Sequence, residues 1–277
     1  MAKYGLLGYP LGHTMSPAIH KRLFELDGIT DAEYGLYEIP PEKLADKADE
    51  LNSLGGYNIT IPFKVDIIGH IDGLDDSAKR YNSVNCVSVR DGKTTGYNTD
   101  CVGFLRALEA GGGRLDGKVL QIGCGGVGRM IATEAALHGA DLTIVALPEF
   151  VAGAEEVASE IRKMKPDAKI TVITHDKISG EFDLLINASP VGMYPKVEGC
   201  PVSEAVIKSC KCVFDVIYNP DVTRFMAIAA ENGITAIGGM AMLVWQAAVA
   251  HEIWVGAKYR DEDINGIIEE MRAELTK

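Results

Sequence analysis

The segment KVLQIGCGGVGRM, residues 118–130, places a glycine-rich loop directly between an apolar strand pattern and a helical pattern. Glycines lack a Cβ atom, so they permit a tight turn and let backbone N–H groups at a helix N-terminus approach a pyrophosphate. In this context the spacing G-x-G-x-x-G predicts a dinucleotide site, although the same glycines would also suit a turn needed only for close helix packing. The predicted cofactor-binding residues of the loop are Gly123, Gly125, Gly126, Val127 and Gly128.

Strand and helix patterns alternate on both sides of this loop. Before it, the strand patterns are YGLLG, EYGLYEI, YNITI and NCVSVR, with helical patterns between them. From residue 118 onward they are KVLQIG, DLTIVA, ITVIT, DLLINAS, CVFDVIY and ITAIGG. Such alternation predicts an α/β fold with a largely parallel sheet in each half, and the strand count of the second half suits a Rossmann-type doubly wound sheet.

A glycine cluster in EAGGGRLDGK, residues 109–118, separates the two series of strands. After the second series, GMAMLVWQAAVAHEIWVG and an amphipathic stretch from Glu262 have helical patterns. We expect these C-terminal helices to pack back on the first domain. The predicted organisation is therefore an N-terminal α/β substrate domain over residues 1–100, completed by 241–277, and a Rossmann-type dinucleotide-binding domain over 101–240.

Charge and cysteine content narrow the class of partner. Lysine and arginine number 27 against 39 aspartates and glutamates, a net charge of −12, which argues against nucleic acid and favours a small-molecule substrate. The six cysteines form no CxxC pair and show no zinc spacing, so we expect no metal and a reducing, cytoplasmic setting. No apolar run is long enough to span a membrane.

The stretch GYPLGHTMSP, residues 8–17, joins the first strand pattern to the first helix pattern. We expect Ser16 to be the N-cap of that helix, Pro17 its first residue and Gly28 its end. His13 is expected to be a hydrogen-bonding loop residue rather than a catalytic base.

Two charged residues follow strand patterns elsewhere in the first domain. NITIPFK presents Lys64 at the start of a following helix, and GYNTD ends in Asp100 before another helix. Taken singly, Lys64 is most simply a surface charge and Asp100 a helix N-cap. Together with Asn85 in NSVNCV they are candidates for acid–base chemistry, because a lysine oriented by a carboxylate can transfer a proton in a dehydrogenase that acts on an alcohol.

The loop after the second strand of the glycine-loop domain bears on the choice of cofactor. An acidic residue there binds the ribose 2′-OH of NAD, whereas a basic residue binds the 2′-phosphate of NADP. This chain has Ala146, Leu147, Pro148 and Glu149, and no arginine or lysine between Arg129 and Arg162. The loop therefore favours NAD over NADP, with Glu149 either on the 2′-OH or simply a solvated charge.

The ordered set GYPLGHTMSP, NITIPFK, NSVNC, GYNTD, GCGGVGRM, INASPVGM, FDVIYNPDVT and GGMAMLVWQA resembles the shikimate dehydrogenase family, including its quinate/shikimate branch. The resemblance covers residue 8 to about 248. It implies reversible nicotinamide-dependent reduction of 3-dehydroshikimate to shikimate, as in chorismate and aromatic amino acid biosynthesis. The small-molecule partners would be shikimate and 3-dehydroshikimate, with quinate as a further candidate, and the protein would be a monomer or a homodimer.

The resemblance also implies roles for individual residues. Lys64 matches the catalytic lysine of the family and Asp100 its partner, while Thr14 and Ser16 match two hydroxyls that bind the substrate carboxylate. Without the resemblance, Gln246 would equally suit a core amide and Tyr218 a core aromatic residue. The remaining matches are Thr60, Asn85, Tyr218 and Gln246 as substrate ligands, and Gly239, Ala146 and Leu147 on the cofactor side.

Two departures from the family pattern affect specificity. The first hydroxyl of the opening motif is usually serine in the family, and the methyl group of Thr14 narrows the pocket near the carboxylate. The NADP-dependent members usually carry Asn-Arg-Thr/Ser where this chain has Ala146-Leu147-Pro148, so the preference shifts toward NAD and toward a catabolic quinate/shikimate dehydrogenase. An alternative of another class is a non-catalytic ligand-sensing protein on the same fold, against which the presence of both Lys64 and Asp100 argues.

Overall fold

The computed structural model describes residues 2–12 and 14–275, which divide into two compact units. The first unit runs up to Gly103 and resumes over Val244–Met271, and the second holds Phe104–Leu243 together with the residues from Arg272 onward. The sequence placed the domain boundaries at residues 100 and 240 and assigned the whole C-terminal segment to the first domain. His13, expected to be a hydrogen-bonding loop residue, lies outside the described residues.

The first unit contains a mixed six-stranded sheet in the order β2-β1-β3-β5-β6-β4. Strand β1 is parallel to both of its neighbours, β2 and β3. Strand β5 is antiparallel to both of its neighbours, β3 and β6. The prediction of a largely parallel sheet is confirmed, with the antiparallel pairing of β5 as an exception that the sequence did not predict. The strands are β1 (Ala2–Gly8), β2 (Ala32–Glu38), β3 (Gly56–Ile59), β4 (Gly73–Leu74), β5 (Cys86–Arg90) and β6 (Lys93–Tyr97).

Three helices connect these strands: α1 (Ser16–Leu26), α2 (Leu44–Leu51) and α3 (Asp76–Tyr81). The prediction that Ser16 caps α1 is wrong, because Ser16 is already helical and its backbone N–H is bound by the Thr14 hydroxyl at 3.2 Å. The predicted end of α1 is confirmed. Gly28 follows the helix with φ = +69°, a left-handed conformation that glycine adopts without steric cost.

The second unit is a parallel six-stranded sheet in the order β12-β11-β10-β7-β8-β9. The chain reverses its direction of winding between β7 and β10, as in a Rossmann-type sheet, which confirms the predicted fold class. The strands are β7 (Lys118–Ile122), β8 (Asp141–Val145), β9 (Lys169–Ile173), β10 (Phe182–Asn187), β11 (Cys210–Asp215) and β12 (Thr235–Ile237). Its helices are α5 (Gly126–Leu137), α6 (Val151–Met164), α7 (Glu204–Lys208) and α8 (Arg224–Glu231), and α4 (Asp100–Ala110) begins in the first unit and ends in the second.

Two C-terminal helices, α9 (Gly239–Val255) and α10 (Asp261–Leu275), complete the fold. Trp254 of α9 lies in one apolar cluster with Tyr4 and Phe24 of the first unit. Its indole N–H also donates to the backbone carbonyl of Val87 at 2.9 Å. The prediction that the C-terminal helices pack on the first domain is thus confirmed for α9, because burial of the apolar indole and its one hydrogen bond hold the helix there. Over the described ranges, no helix combines the length and apolar character that crossing a membrane requires.

Candidate active site

Lys64 and Asp100 form an ion pair in the first unit, with 2.7 Å between the Lys64 Nζ and the Asp100 Oδ2. The two side chains retain 27% and 17% of their solvent exposure. Lys64 is therefore not the freely solvated surface charge that is the simplest alternative. A half-buried ammonium within hydrogen-bond distance of a carboxylate is a proton donor whose position the carboxylate fixes.

Local structure brings the two charges together. Lys64 lies in a turn whose preceding residue, Phe63, is fully buried, and its backbone carbonyl accepts a hydrogen bond from Val84 N at 2.7 Å. The predicted helix at Lys64 is wrong, since the turn is followed only by a short 3₁₀ helix, Asp66–His70. Asp100 is the first residue of α4, where the helix dipole favours a negative charge.

Asn85 is the centre of a buried polar cluster beside this ion pair. Its side-chain oxygen accepts from the backbone N–H of Thr99 at 2.6 Å, and its Nδ2 donates to the Thr99 hydroxyl at 3.0 Å. Both Asn85 Nδ2 and Thr99 Oγ1 also lie 3.5 Å from Oε1 of Gln246. Asn85 is 2% exposed while Gln246 is half-exposed, so Gln246 is not the enclosed core amide that the sequence allowed.

Thr14 and Ser16 lie at the N-terminal end of α1, with 3.2 Å between their hydroxyl oxygens. Both side chains are partly exposed. Thr60 follows β3, where its backbone N–H donates to Leu7 O at 2.9 Å. A Cβ atom on Gly8 would lie 2.5 Å from the Thr60 methyl, so the approach of Thr60 to the end of β1 requires glycine there.

In the second unit, the glycine loop has the geometry that a pyrophosphate requires. Gly123 has φ = +88°, and a Cβ on Gly128 would lie 2.7 Å from the carbonyl oxygen of Gly123. Gly125 and Gly126 are exposed, and a Cβ on either would meet no atom within 4 Å. The loop therefore leaves open backbone at the start of α5, which fits the phosphates of a dinucleotide.

The side chain of Gln121 is hydrogen-bonded to the glycine loop. It is fully buried in β7, and its Nε2 donates to the carbonyls of both Gly123 and Gly128 at 2.8 Å. The sequence motif does not include Gln121. The two bonds join the beginning and the end of the loop and so fix its width.

The loop after β8 contains the residues predicted to select the cofactor. Ala146 is buried, and its N–H donates to Ile173 O at 3.0 Å. Leu147 and Phe150 are 47% and 64% exposed, and Glu149 is exposed between them in a short 3₁₀ turn. The loop thus presents two apolar side chains and one carboxylate to solvent.

Tyr218 and Gly239 lie near the carboxyl end of β11. Tyr218 is half-buried, and burial raises the pKa of its hydroxyl. A Cβ on Gly239 would collide with the carbonyl of Val216, so α9 can begin there only with glycine. The adjacent Asp215 is fully buried and accepts hydrogen bonds from Asn187, Ile217 N and Thr223, and burial raises its pKa to about 6.

Comparison with known proteins identifies the family. The model of the shikimate dehydrogenase substrate binding domain matches residues 6–87. The shikimate dehydrogenase (NADP(+)) of Caldanaerobacter subterraneus subsp. tengcongensis is 34% identical, with 98% of this chain and 97% of the relative covered. The chain belongs to the shikimate dehydrogenase family.

Solved structures of the shikimate dehydrogenase family have the same fold over nearly the whole chain. The Thermus thermophilus shikimate 5-dehydrogenase in complex with NADP(H) and shikimate has a TM-score of 0.86 at 29% identity, covering 98% of this chain and 99% of that one. The Listeria monocytogenes enzyme in complex with shikimate and NAD also has a TM-score of 0.86, at 31% identity, covering 98% and 96%. Members of the family are thus known with each nicotinamide dinucleotide.

In this member of the shikimate dehydrogenase family, the predicted site residues fall into two groups. Lys64, Asp100, Asn85 and Gln246 are neighbours in the first unit, which also contains Thr14, Ser16 and Thr60. Two residues that sequence analysis did not assign to the site join the Asn85 cluster: Tyr34 donates to Asn58 Oδ1 at 2.9 Å, and Asn58 Nδ2 donates to Asn85 O at 3.3 Å. Tyr218, Gly239 and the predicted cofactor residues lie in the second unit.

Proposed function

We propose that the protein is an oxidoreductase that catalyses the reversible, nicotinamide-dependent reduction of 3-dehydroshikimate to shikimate. The first unit binds the substrate and the second binds the dinucleotide. The observation that carries this proposal is the 2.7 Å pair of Lys64 and Asp100 beside the Asn85 cluster, in a chain of the shikimate dehydrogenase family. A protein that only sensed a ligand would not need this pair as a proton donor and its support.

The carboxylate of the substrate binds at the hydroxyls of Thr14 and Ser16. Both lie at the N-terminal end of α1, where the helix dipole favours an anion. Because the chain carries a net charge of −12, an anionic substrate depends on such local donors. Thr60, Asn85 and Gln246 provide the polar side chains for the ring hydroxyls.

Lys64 transfers the proton. In the direction of reduction, its ammonium donates to the carbonyl oxygen as that oxygen becomes a hydroxyl, and Asp100 stabilises the ammonium and orients it. In the direction of oxidation, the neutral amine accepts the same proton. The nicotinamide, when bound, supplies or accepts the hydride at the ring carbon.

On the cofactor side, the open backbone of Gly125 and Gly126 at the start of α5 binds the pyrophosphate. Gly239 lies on the segment that we assign to the nicotinamide end of the site, whereas Tyr218, in the same unit, is the remaining proposed substrate ligand. For Gly239 the absence of a side chain is a steric requirement of the fold as well.

We further propose that the enzyme prefers NAD to NADP. This preference is supported by the loop after β8, where Glu149 is exposed and arginine and lysine are absent from the sequence between Arg129 and Arg162. A carboxylate accepts hydrogen bonds from a ribose hydroxyl but repels a 2′-phosphate. The curated relatives carry the name shikimate dehydrogenase (NADP(+)) and do not support this preference.

We also propose that the enzyme accepts quinate as a substrate. The family usually has a serine at the position of Thr14. Threonine keeps the hydroxyl of serine, and its extra methyl group changes the shape of the pocket near the substrate carboxylate. Together with an NAD preference, this substitution favours an enzyme of the catabolic quinate/shikimate branch.

A four-way assay tests these proposals. Initial rates of reduced-cofactor formation are measured with shikimate or quinate and with NAD or NADP. We expect turnover of shikimate, with a higher kcat/KM for NAD than for NADP. The absence of shikimate turnover with both cofactors would contradict the proposed activity, and a kcat/KM at least about tenfold higher for NADP would contradict the NAD preference alone.

A further inference from the structure

A glutamine interrupts the apolar core of strand β7, which reads KVLQI. Gln121 is fully buried, and its register partners on the two neighbouring strands, Ile144 of β8 and Ile186 of β10, are fully buried as well. A strand that is buried between two parallel neighbours is normally a continuous apolar run. Packing in the sheet therefore does not explain why position 121 has a polar side chain.

The amide nitrogen of Gln121 makes two hydrogen bonds to the glycine loop. Its Nε2 donates to Gly123 O and to Gly128 O, both at 2.8 Å. Carbonyl oxygens only accept, so they require the nitrogen of the amide at this place and not its oxygen. An NH₂ group has two protons, and each carbonyl takes one of them. The side chain thus joins the two ends of the loop at a defined separation.

The amide oxygen of Gln121 gains nothing comparable. Oε1 is buried and accepts no hydrogen bond from the residues that the structure describes. A buried acceptor without a donor destabilises a fold, and an apolar side chain of similar size would avoid that cost. Stability alone thus favours an apolar residue at position 121, and the two bonds to the loop are what the glutamine adds.

The loop that Gln121 joins is one that would otherwise have much conformational freedom. Between the two bound carbonyls the chain passes through Gly125 and Gly126, whose open backbone we assign to the pyrophosphate. Glycine loses more backbone freedom than any other residue when it is ordered. Because the side chain of Gln121 joins the ends of the loop before a ligand arrives, less ordering remains to oppose binding.

We propose that Gln121 is a positioning residue for the dinucleotide, whose amide holds the glycine loop in the shape that receives the pyrophosphate. The inference rests on the proposed function, since it concerns the dinucleotide site assigned there. Because Gln121 is fully buried in β7, it acts through the loop and not by contact with the cofactor. It also lies outside the G-x-G-x-x-G pattern, which begins two residues later.

This role predicts that the constants of the cofactor change and those of the chemical step do not. The pyrophosphate takes no part in hydride transfer, so contacts to it are equal in the bound cofactor and in the transition state. Loss of such contacts raises the KM of the dinucleotide and leaves kcat nearly unchanged. A purely structural role for Gln121 would instead lower the resistance of the enzyme to denaturant and leave the KM of the dinucleotide unchanged.

The deciding variant is Gln121→Met, which keeps an unbranched side chain of similar length and removes both N–H donors. The measurement uses whichever of NAD and NADP has the higher kcat/KM with the wild-type enzyme. We expect the KM and Kd of that dinucleotide to rise about threefold to thirtyfold, the range that corresponds to one or two neutral hydrogen bonds. The KM of shikimate and kcat should stay within about twofold of wild type.

The matched control is Thr133→Val in helix α5. Thr133 is buried, and its hydroxyl donates to Arg129 O at 2.9 Å, so this variant also removes a buried side-chain bond to a backbone carbonyl. The bonds of Gln121 to Gly123 and Gly128 remain. We expect the KM of the dinucleotide to be unchanged. An equal rise in Thr133→Val and Gln121→Met would show that any loosening of α5 has this effect, and the inference would then be wrong.

A fragment of the cofactor locates the effect. ADP-ribose has the pyrophosphate but lacks the nicotinamide, and its inhibition constant against the dinucleotide should rise in Gln121→Met by about the same factor as the KM. An unchanged KM of the dinucleotide, or an unchanged inhibition constant of ADP-ribose, would contradict the inference and leave the proposed function intact. If Gln121→Met does not fold, Gln121→Leu decides by the same measurements. A wild-type protein that binds neither NAD nor NADP would contradict both proposals.

Discussion

Lys64 and Asp100 have an environment intermediate between surface and core. An exposed pair of this kind is worth little, because water screens the charges, and a fully buried pair pays a large desolvation cost. At 27% and 17% exposure the two side chains keep some contact with water while their separation stays at 2.7 Å. Such a pair can exchange protons with a bound ligand and still keep a defined geometry.

Replacement of Lys64 by alanine should remove the proton donor with little loss of substrate binding. We expect kcat of Lys64→Ala to fall about 10²- to 10⁴-fold, the usual contribution of general acid–base catalysis, and the dissociation constant of shikimate to change far less. Steady-state kinetics and calorimetric titration measure the two quantities. The matched control, Lys47→Ala, removes an exposed lysine that pairs with Glu50 at 2.8 Å and should leave kcat unchanged. Unimpaired turnover of Lys64→Ala would disprove the mechanism.

Glu149 is the residue at which cofactor preference should be most easily reversed. Glu149→Arg replaces a carboxylate with a guanidinium that binds a phosphate through charge-assisted hydrogen bonds. We expect the ratio of kcat/KM for NADP to that for NAD to rise about tenfold or more. Glu156→Arg, at another exposed site, on α6, has the same change in net charge and should leave the ratio close to that of wild type. An equal rise in both variants would show that only overall charge matters.

The sequence identifies candidate site residues such as Lys64, but it does not predict which side chains they contact. The pattern NITIPFK singles out Lys64, but its distance to Asp100 depends on the fold, since 36 positions separate them. Nothing in the sequence marks Tyr34 or Thr99 as a site residue, because a tyrosine in a strand and a threonine before a helix are both common. Only the pairing of β1 with β2 and β3 brings Tyr34 near Asn58.

At the scale of elements, the glycine loop offers a sharp test, since Gly128 touches backbone rather than a movable side chain. A Cβ at Gly128 would lie 2.7 Å from Gly123 O, so Gly128→Ala must displace the loop or the start of α5. We expect about a tenfold or greater loss of dinucleotide affinity and a loss of about 1–3 kcal/mol in unfolding free energy. Dinucleotide titration and denaturant unfolding measure these effects.

Gly153→Ala is the matched control on the neighbouring helix α6. A Cβ there would meet no atom within 4 Å, and alanine favours a helix over glycine. We expect unchanged dinucleotide affinity and an unfolding free energy that is equal or slightly higher. Wild-type affinity in Gly128→Ala would show that the glycines serve packing alone.

The strands of the second unit could be predicted one by one because each is an apolar run bounded by helix patterns. The feature of the first unit that was not predicted is the antiparallel hairpin formed by β5 and β6. A signal was present, since Asp91 and Gly92 have φ of +52° and +73°, and Asp-Gly is a typical hairpin turn. The strand KTTGY itself has too few apolar residues for a periodicity argument to find it.

At the scale of the whole molecule, the buried histidines should make the first unit sensitive to acid. Both His20 and His251 have pKa values lowered by burial from an ordinary 6.5, so the folded state resists protonation that the unfolded chain accepts. Their contribution to stability is complete above pH 6.5 and is lost as the pH falls below it. We expect the free energy of unfolding of the first unit to fall as the pH is lowered from about 7.5 to about 5.5.

Tryptophan fluorescence can follow this loss in the first unit alone. The two tryptophans, Trp245 and Trp254, are both buried in α9 and both belong to that unit. Denaturation curves at the two pH values give the difference, and His20→Phe should reduce it. The exposed His175→Gln is the control that should keep it. Stability that stays constant, or increases, on acidification would contradict the prediction.

The discontinuity of the first unit has a consequence for biosynthesis. A ribosome delivers Tyr4 and Phe24 early, but Trp254, which packs against them, emerges only after residues 104–243 of the second unit. The second unit can therefore complete its core while the chain is still being made, whereas the first unit must wait with apolar surface uncovered. During that interval the nascent chain is a substrate for chaperones that recognise exposed apolar segments, and the time needed to translate the second unit sets how long the exposure lasts.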